Sequence, residues 1–196
     1  MLTSITPLGE RGRGQRWWLT VAFFVAASTA AGAATGGALG AAGGWLAGAV
    51  GAGARVQLAA LALVALVALV VDLSGRRVPG PRRQVNENWL PAFRGWVYGA
   101  GFGLQLGIGA ATIVTTALVY VAFAGAFVLG SPALGLVIGA VFGAVRGAAI
   151  LPSAGGRDPA GLQRLNARLE RWRGRAARIA IATEALLVMA FAVVAT

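Results

Sequence analysis

The chain has no cysteine and no histidine, and each of its 17 basic residues is an arginine. Without thiols there are no disulfides, thiolate metal sites or thiol relays. Without imidazole the side chain best suited to proton transfer near neutrality is missing. Acids are scarce too: six Asp and Glu residues bring the charged fraction to 12%, against about 25% in ordinary soluble domains. No carboxylates are paired at sequence spacing, so general acid–base chemistry has few candidates and an enzyme is not expected. Nothing suggests a cofactor or a metal.

What remains is apolar. Hydrophobic residues make up 58% of the 196-residue chain, with 30 glycines and a mean hydropathy of +0.75. The stretch from Gly95 to Leu151 carries only one charge, Arg146. Since about 18 apolar residues cross a bilayer, it is long enough to cross twice. A fold back is expected at Gly130-Ser131-Pro132. The fold class that follows is all-α, a polytopic integral membrane helix bundle in a single domain.

The arginines set the expected topology. They cluster in three polar segments: residues 1–16, the loop 73–94 and the linker 152–178. The positive-inside rule places all three in the cytoplasm, which requires two crossings between neighbours and about five in all. The expected order is a cytoplasmic tail, a helical hairpin at 17–72, a cytoplasmic loop, a second hairpin at 95–151, an amphipathic linker and a last helix at 179–196. The first apolar run is read as a retained anchor in the plasma membrane. Arginines confined to short flanks of apolar runs do not form the basic face that nucleic acid requires.

Two runs resist simple assignment. Residues 41–54 hold Gly43, Gly44, Gly48, Gly51 and Gly53 and read equally as a turn, a re-entrant segment or helix. Residues 95–128, as one straight helix, would measure about 51 Å, more than the ~45 Å of a whole bilayer. That helix must be kinked, strongly tilted, extended beyond the membrane or broken in two. The series Gly32, Gly36, Gly40 recurs every four residues and offers one helix a close-packing groove. Between Asp158 and Arg178, Leu162, Leu165, Leu169 and Trp172 take one side and Arg164, Arg168, Arg171 and Arg175 the other. This basic amphipathic helix is suited to anionic lipid headgroups.

The order of features resembles the transmembrane domain of the DsbD/CcdA thiol-reductant conduits. The closest stretch, GFGLQLGIGAATIVTTALVYVAFAG from Gly101 to Gly125, is similar to that family's fourth helix. GLVIGAVFGAVRG, from Gly135 to Gly147, is similar to its next. The resemblance implies a shared packing scheme and a polar site near Thr112. Where that family carries a helix-breaking Pro-Cys pair this chain has Ala111-Thr112, and the family's first helix has no counterpart. Thiol exchange needs a thiolate, so that chemistry is not implied.

Candidate functional residues are the polar ones in apolar runs. Gln105, Thr112 and Thr115, with Thr116, form one expected polar lining at a glycine-weakened kink. Arg146 and Glu184 form another, since intramembrane ionisable groups tend to pair and these two lie at similar expected depth. A small solute or ion transporter or channel-like protein is the leading expectation. The alternative is a membrane subunit or scaffold that holds a partner protein, or a second copy of itself, through its glycine grooves and basic helix.

Overall fold

The computed structural model describes residues 5–76, 78–80, 88–109 and 114–195. Among them every regular element is helical, which makes the chain an all-α bundle. Four helices are long and apolar enough to span a bilayer, so the chain is an integral membrane protein.

The chain enters through a short helix, α1 (Pro7–Gly12), capped where Thr6 accepts from the Gly9 amide at 3.1 Å. Next comes α2 (Trp17–Val50). Its 34 residues make about 51 Å of helix, and it is the mast of the bundle. Residues 41–50, ambiguous in sequence, simply continue it. It stops at Gly51, whose left-handed backbone (φ 65°) supplies the C-terminal cap that a residue with a Cβ adopts only under strain. The chain turns at once into α3 (Ala54–Leu73).

The long run from Gly95 is broken in two. A four-residue turn, α4 (Trp89–Ala92), leads into α5 (Gly95–Gly107), and after an interruption α6 (Leu118–Val128) follows. Their 13 and 11 residues make about 20 and 17 Å of helix, too little to cross alone. After the expected fold at Ser131, α7 (Pro132–Ala148) returns, capped where Ser131 accepts from the Leu134 amide at 3.4 Å. A 3-10 turn (Leu151–Gly155) leads to α8 (Pro159–Ala195). The amphipathic linker and the last apolar run, distinct in sequence, are here one uninterrupted helix.

Glycine arranges these helices. On α2, Gly32, Gly36 and Gly40 face Gly139, Gly135 and Ser131, an antiparallel register in which a Cβ on any of the three glycines would strike a facing carbonyl oxygen. Ser28 donates its hydroxyl across this seam to the Gly143 carbonyl at 2.8 Å. On α5, Gly99, Gly103 and Gly107 meet the carbonyls of Thr20, Phe24 and Ser28 in ascending order. Hence α5 runs parallel to α2. Gly43 of α2 abuts Phe127, so α6 ends further along the same mast, toward the end of α2 that leads to α3. With lipid as solvent there is no water to exclude, and such backbone-to-backbone contact supplies the packing attraction instead.

The remaining helices, α3 and α8, pack on one another, and α3 also meets α6. Small residues mark this seam: Ala65, Ala68 and Ala117 are buried with Val121. Leu63, Leu66 and Val70 of α3 and Leu186, Met189 and Val193 of α8 are exposed, as suits a surface bathed in lipid tails.

Three links meet at one end of the bundle. Gln15 accepts from the Gly95 amide at 3.0 Å, Ser153 donates to the Ile5 carbonyl at 3.0 Å, and the Leu8 amide reaches the Gly156 carbonyl at 3.1 Å. The segment carrying Arg11, Arg13 and Arg16, the entry to α5 after Arg94 and the link carrying Arg157 therefore share that end.

Candidate functional site

The interruption between α5 and α6 is the centre of interest. Non-helical backbone inside a membrane protein must be buried in protein or line a polar space, because hydrocarbon satisfies no N–H or C=O group. At its near edge Gly109 adopts φ 74° and presses against Phe123 and Phe142. At its far edge the Ala117 amide opens α6.

Charges from other helices address both edges. Arg146 of α7 reaches the Gly109 carbonyl at 3.5 Å, with its guanidinium 5.3 Å from the Phe142 ring centre. Asp72, in the last turn of α3, receives the Ala117 amide on both carboxylate oxygens, at 3.0 and 3.1 Å. A cation thus stands at the C-terminal end of one half-helix and an anion at the N-terminal end of the next, each opposing the local dipole.

Glu184 of α8 completes the arrangement. It is 0% exposed, and neither carboxyl oxygen has a hydrogen-bond partner. Its interacting neighbour is another carboxyl group, Asp72, with which it shares a hydrogen bond once one of the two is protonated. The carboxylate pair that sequence spacing does not offer is therefore made by the fold, across α3 and α8. Two carboxylates screened from water repel strongly unless a proton or another cation accompanies them. The residues one turn on from Glu184, Leu187 and Val188, pack against the alanine seam.

The expected pair of Arg146 with Glu184 does not form: no ion pair joins them among the described residues. The two belong to different helices, α7 and α8, and Arg146 is turned toward Gly109. Gln105 is half-buried on α5, Thr115 is exposed and Thr116 half-buried. No described contact brings these residues to Glu184. Thr112 and Ala111 lie outside the described residues. Arg164, Arg168, Arg171 and Arg175 are all exposed along the first half of α8, as their spacing suggests. Arg164 lies 3.9 Å from Asp158, and Arg175 stacks 5.3 Å from the Trp172 ring.

Sequence reasoning missed two acids. Asp72 reads as the polar end of an apolar run, and nothing local ties it to Ala117 or Glu184. Glu10 reads as part of a solvated tail, yet it is 0% exposed. It accepts from Tyr98 at 2.6 Å, from Thr20 at 2.8 Å and from Arg13 at 2.6 Å. Partial burial opposes the charge on Arg13, but Glu10 and Tyr98 outweigh it and hold the guanidinium pKa above its ordinary value. Both Glu10 oxygens thus receive donors, unlike those of Glu184, and the cluster locks the entry segment to α2 and α5.

The chain is similar to two curated proteins, both called methylamine utilization protein MauF. One, from Paracoccus versutus, is 32% identical over 143 residues, covering 72% of this chain and 52% of that protein. The other, from Paracoccus denitrificans, is 35% identical over 145 residues, covering 71% and 52%. The chain spans about half the length of these curated relatives. No family model matches it, and no solved structure matches.

Proposed function

We propose that this chain is the membrane-embedded core of a small solute or ion transporter, with its pathway at the break between α5 and α6. One observation carries the reading. A fully buried carboxyl group with no hydrogen-bond donor, Glu184, adjoins a second acid that holds the start of a half-helix. Interrupted helices with ionisable groups at the bundle centre are how secondary transporters bind a solute at mid-membrane. The relatives' name adds a solute to try first, methylamine.

The test is counterflow in proteoliposomes. Labelled methylammonium is offered at about pH 6, where an alkylamine is almost wholly charged and the neutral form leaks little. Wild-type protein is expected to exchange the label, and Glu184→Gln to lose most of the exchange. Equal exchange by protein-free and protein-loaded vesicles, across a panel of small cations and neutral solutes, sinks the proposal.

A second reading, a subunit that holds a partner, draws on the first half of α8. There Arg164, Arg168, Arg171 and Arg175 stand exposed on a helix that continues into the apolar span. A stable stoichiometric complex from native membranes, with no exchange by the isolated chain, favours that reading. In either case we place the three arginine-bearing segments in the cytoplasm, by the positive-inside rule.

A further inference from the structure

We infer that the arginine face of the first half of α8 docks an acidic amphipathic helix of a partner protein. The inference rests on the partner-holding reading and gives that partner a chemistry; it is independent of transport.

The helix is bare where its charge is greatest. Its start is covered: Leu165 is buried, Leu162 and Leu169 are half-buried, and Leu162 lies against Gly156. From the buried Ala180 onward it packs on α3. Between these two anchors every residue from Glu170 to Ile179 is exposed. A helix exposed on every side has no packing to hold it, and Gly174 weakens it further.

The charge has a direction. Arg164, Arg168, Arg171, Arg175 and Arg178 follow one another at steps of four, three, four and three. At about 100° per residue they stay within about 80° of one another and run about 21 Å along the axis. The neighbouring stripe is apolar, and its far part, Trp172 and Ala176, is uncovered.

The chain offers little to match this charge. Glu170, the one acid between residues 164 and 178, lies 3.5 Å from Arg173, off the stripe, and Asp158 lies 3.9 Å from Arg164. Both pairs are exposed and therefore weak. Among the described residues no carboxylate reaches Arg168, Arg171, Arg175 or Arg178. A second copy repeats the same surface with the same net charge of +11, so like faces repel.

Lipid headgroups match only the near end of the stripe. Stripe and span belong to one uninterrupted helix, so the stripe climbs away from the bilayer instead of lying along it. With Arg178 at the start of the apolar run, Arg171, Arg168 and Arg164 stand about 10, 15 and 21 Å further along the axis. The headgroup layer adds only about 5–8 Å to each side of the hydrocarbon. Even a tilt of about 40° leaves Arg168 and Arg164 beyond it. Helical side chains also lean toward the N-terminus, here away from lipid. An occupant that follows the whole stripe is a rigid acidic rod: a helix with Asp or Glu every three or four residues, and apolar side chains beside them to meet Trp172.

Photocrosslinking of the full chain in its native host's membranes tests this. Ala167 is exposed at the edge of the stripe, and Asn166 is exposed on the opposite side. Ala167→benzoylphenylalanine is expected to link to one other protein, at a peptide carrying Asp or Glu at spacings of three and four. Asn166→benzoylphenylalanine should link to it far less. Arg168→Glu with Arg171→Glu should lower the yield at position 167 about ten-fold or more, while Arg168→Lys with Arg171→Lys keeps most of it. Replacing the facing acids of the linked peptide by Arg should restore linkage to the Glu variant. The isolated chain should melt alike in all these variants, because the substituted residues are exposed, so a lost link is not lost folding.

Links to phospholipid alone, to a second copy alone, or to a peptide without the acidic pattern overturn the inference, as does linkage indifferent to charge reversal. The partner-holding reading fails separately. A link to a non-acidic peptide refutes the docking chemistry and leaves that reading, whereas no protein link and no stoichiometric complex refute both.

Discussion

Gly36 of α2 and Gly135 of α7 each turn their missing side chain onto the other's carbonyl oxygen, so that the two helices touch backbone to backbone. The contact is reciprocal, and Gly32 and Gly139 repeat it one turn away. Neither backbone can yield without the other.

Gly36→Ala should therefore destabilise the bundle by about 1–3 kcal/mol, the usual cost of overpacking. Gly37→Ala is the control. Its nearest neighbour would be the Leu136 Cβ at 3.7 Å, an ordinary contact, and alanine gains up to about 1 kcal/mol of helix propensity. Thermal unfolding in detergent should show the first variant melting lower and the second unchanged or higher. Equal loss in both would mean that the seam is not the tight one described.

Tyr98→Phe removes a donor from Glu10 and leaves a buried carboxylate with fewer partners. A cost of about 1–3 kcal/mol is expected. It should fall on the entry segment, because Glu10 ties α1 to α2 and α5. Hydrogen exchange is the suitable measurement: residues 7–16 should exchange faster in the variant, while α7 keeps its protection.

Arg146→Met keeps much of the side chain's bulk but loses the donor at Gly109 and the stacking on Phe142. The loss should be about 1–2 kcal/mol, from the helix-terminus charge and the ring contact together. Its signature is local: faster exchange at residues 104–109 with α2 unaffected. If the transporter reading is right, counterflow falls as well.

The absence of cysteine makes topology directly testable. Ser74→Cys and Gly53→Cys flank α3 at exposed positions, and a Cβ at Gly53 meets nothing within 4 Å. An impermeant thiol reagent applied to intact cells should label position 53 and spare position 74. The reverse pattern would put the arginine-bearing links outside.

Much of the frame was legible because it depends on local chemistry. Apolar run lengths, the turn at Gly130-Ser131-Pro132 and the four-residue glycine series all carry their meaning within a few residues. The length of the run from Gly95 forced a kink, tilt, overhang or break, and the fold chose a break, with Gly109 turning at positive φ. The site was less legible. Glu184 stands out as an acid within an apolar helix, but its neighbour is fixed by how α3 lies on α8, which no local spacing encodes. Arg146 was assigned to Glu184 by depth along the helices. Depth is one coordinate, and direction around the helix, which turned it to Gly109, is another.

The two glycine-lined contacts of α2 bear on how this protein can move. The Ser28 carbonyl faces Gly107 on one neighbour and Gly143 on the other, so α2 sits like a keyed shaft between them. Turning it would drive bulky side chains into peptide oxygens on two sides. Sliding by one four-residue repeat, about 6 Å, would bring glycine opposite glycine again. The gripped shaft is stiff to rotation and, along its own axis, graduated in steps.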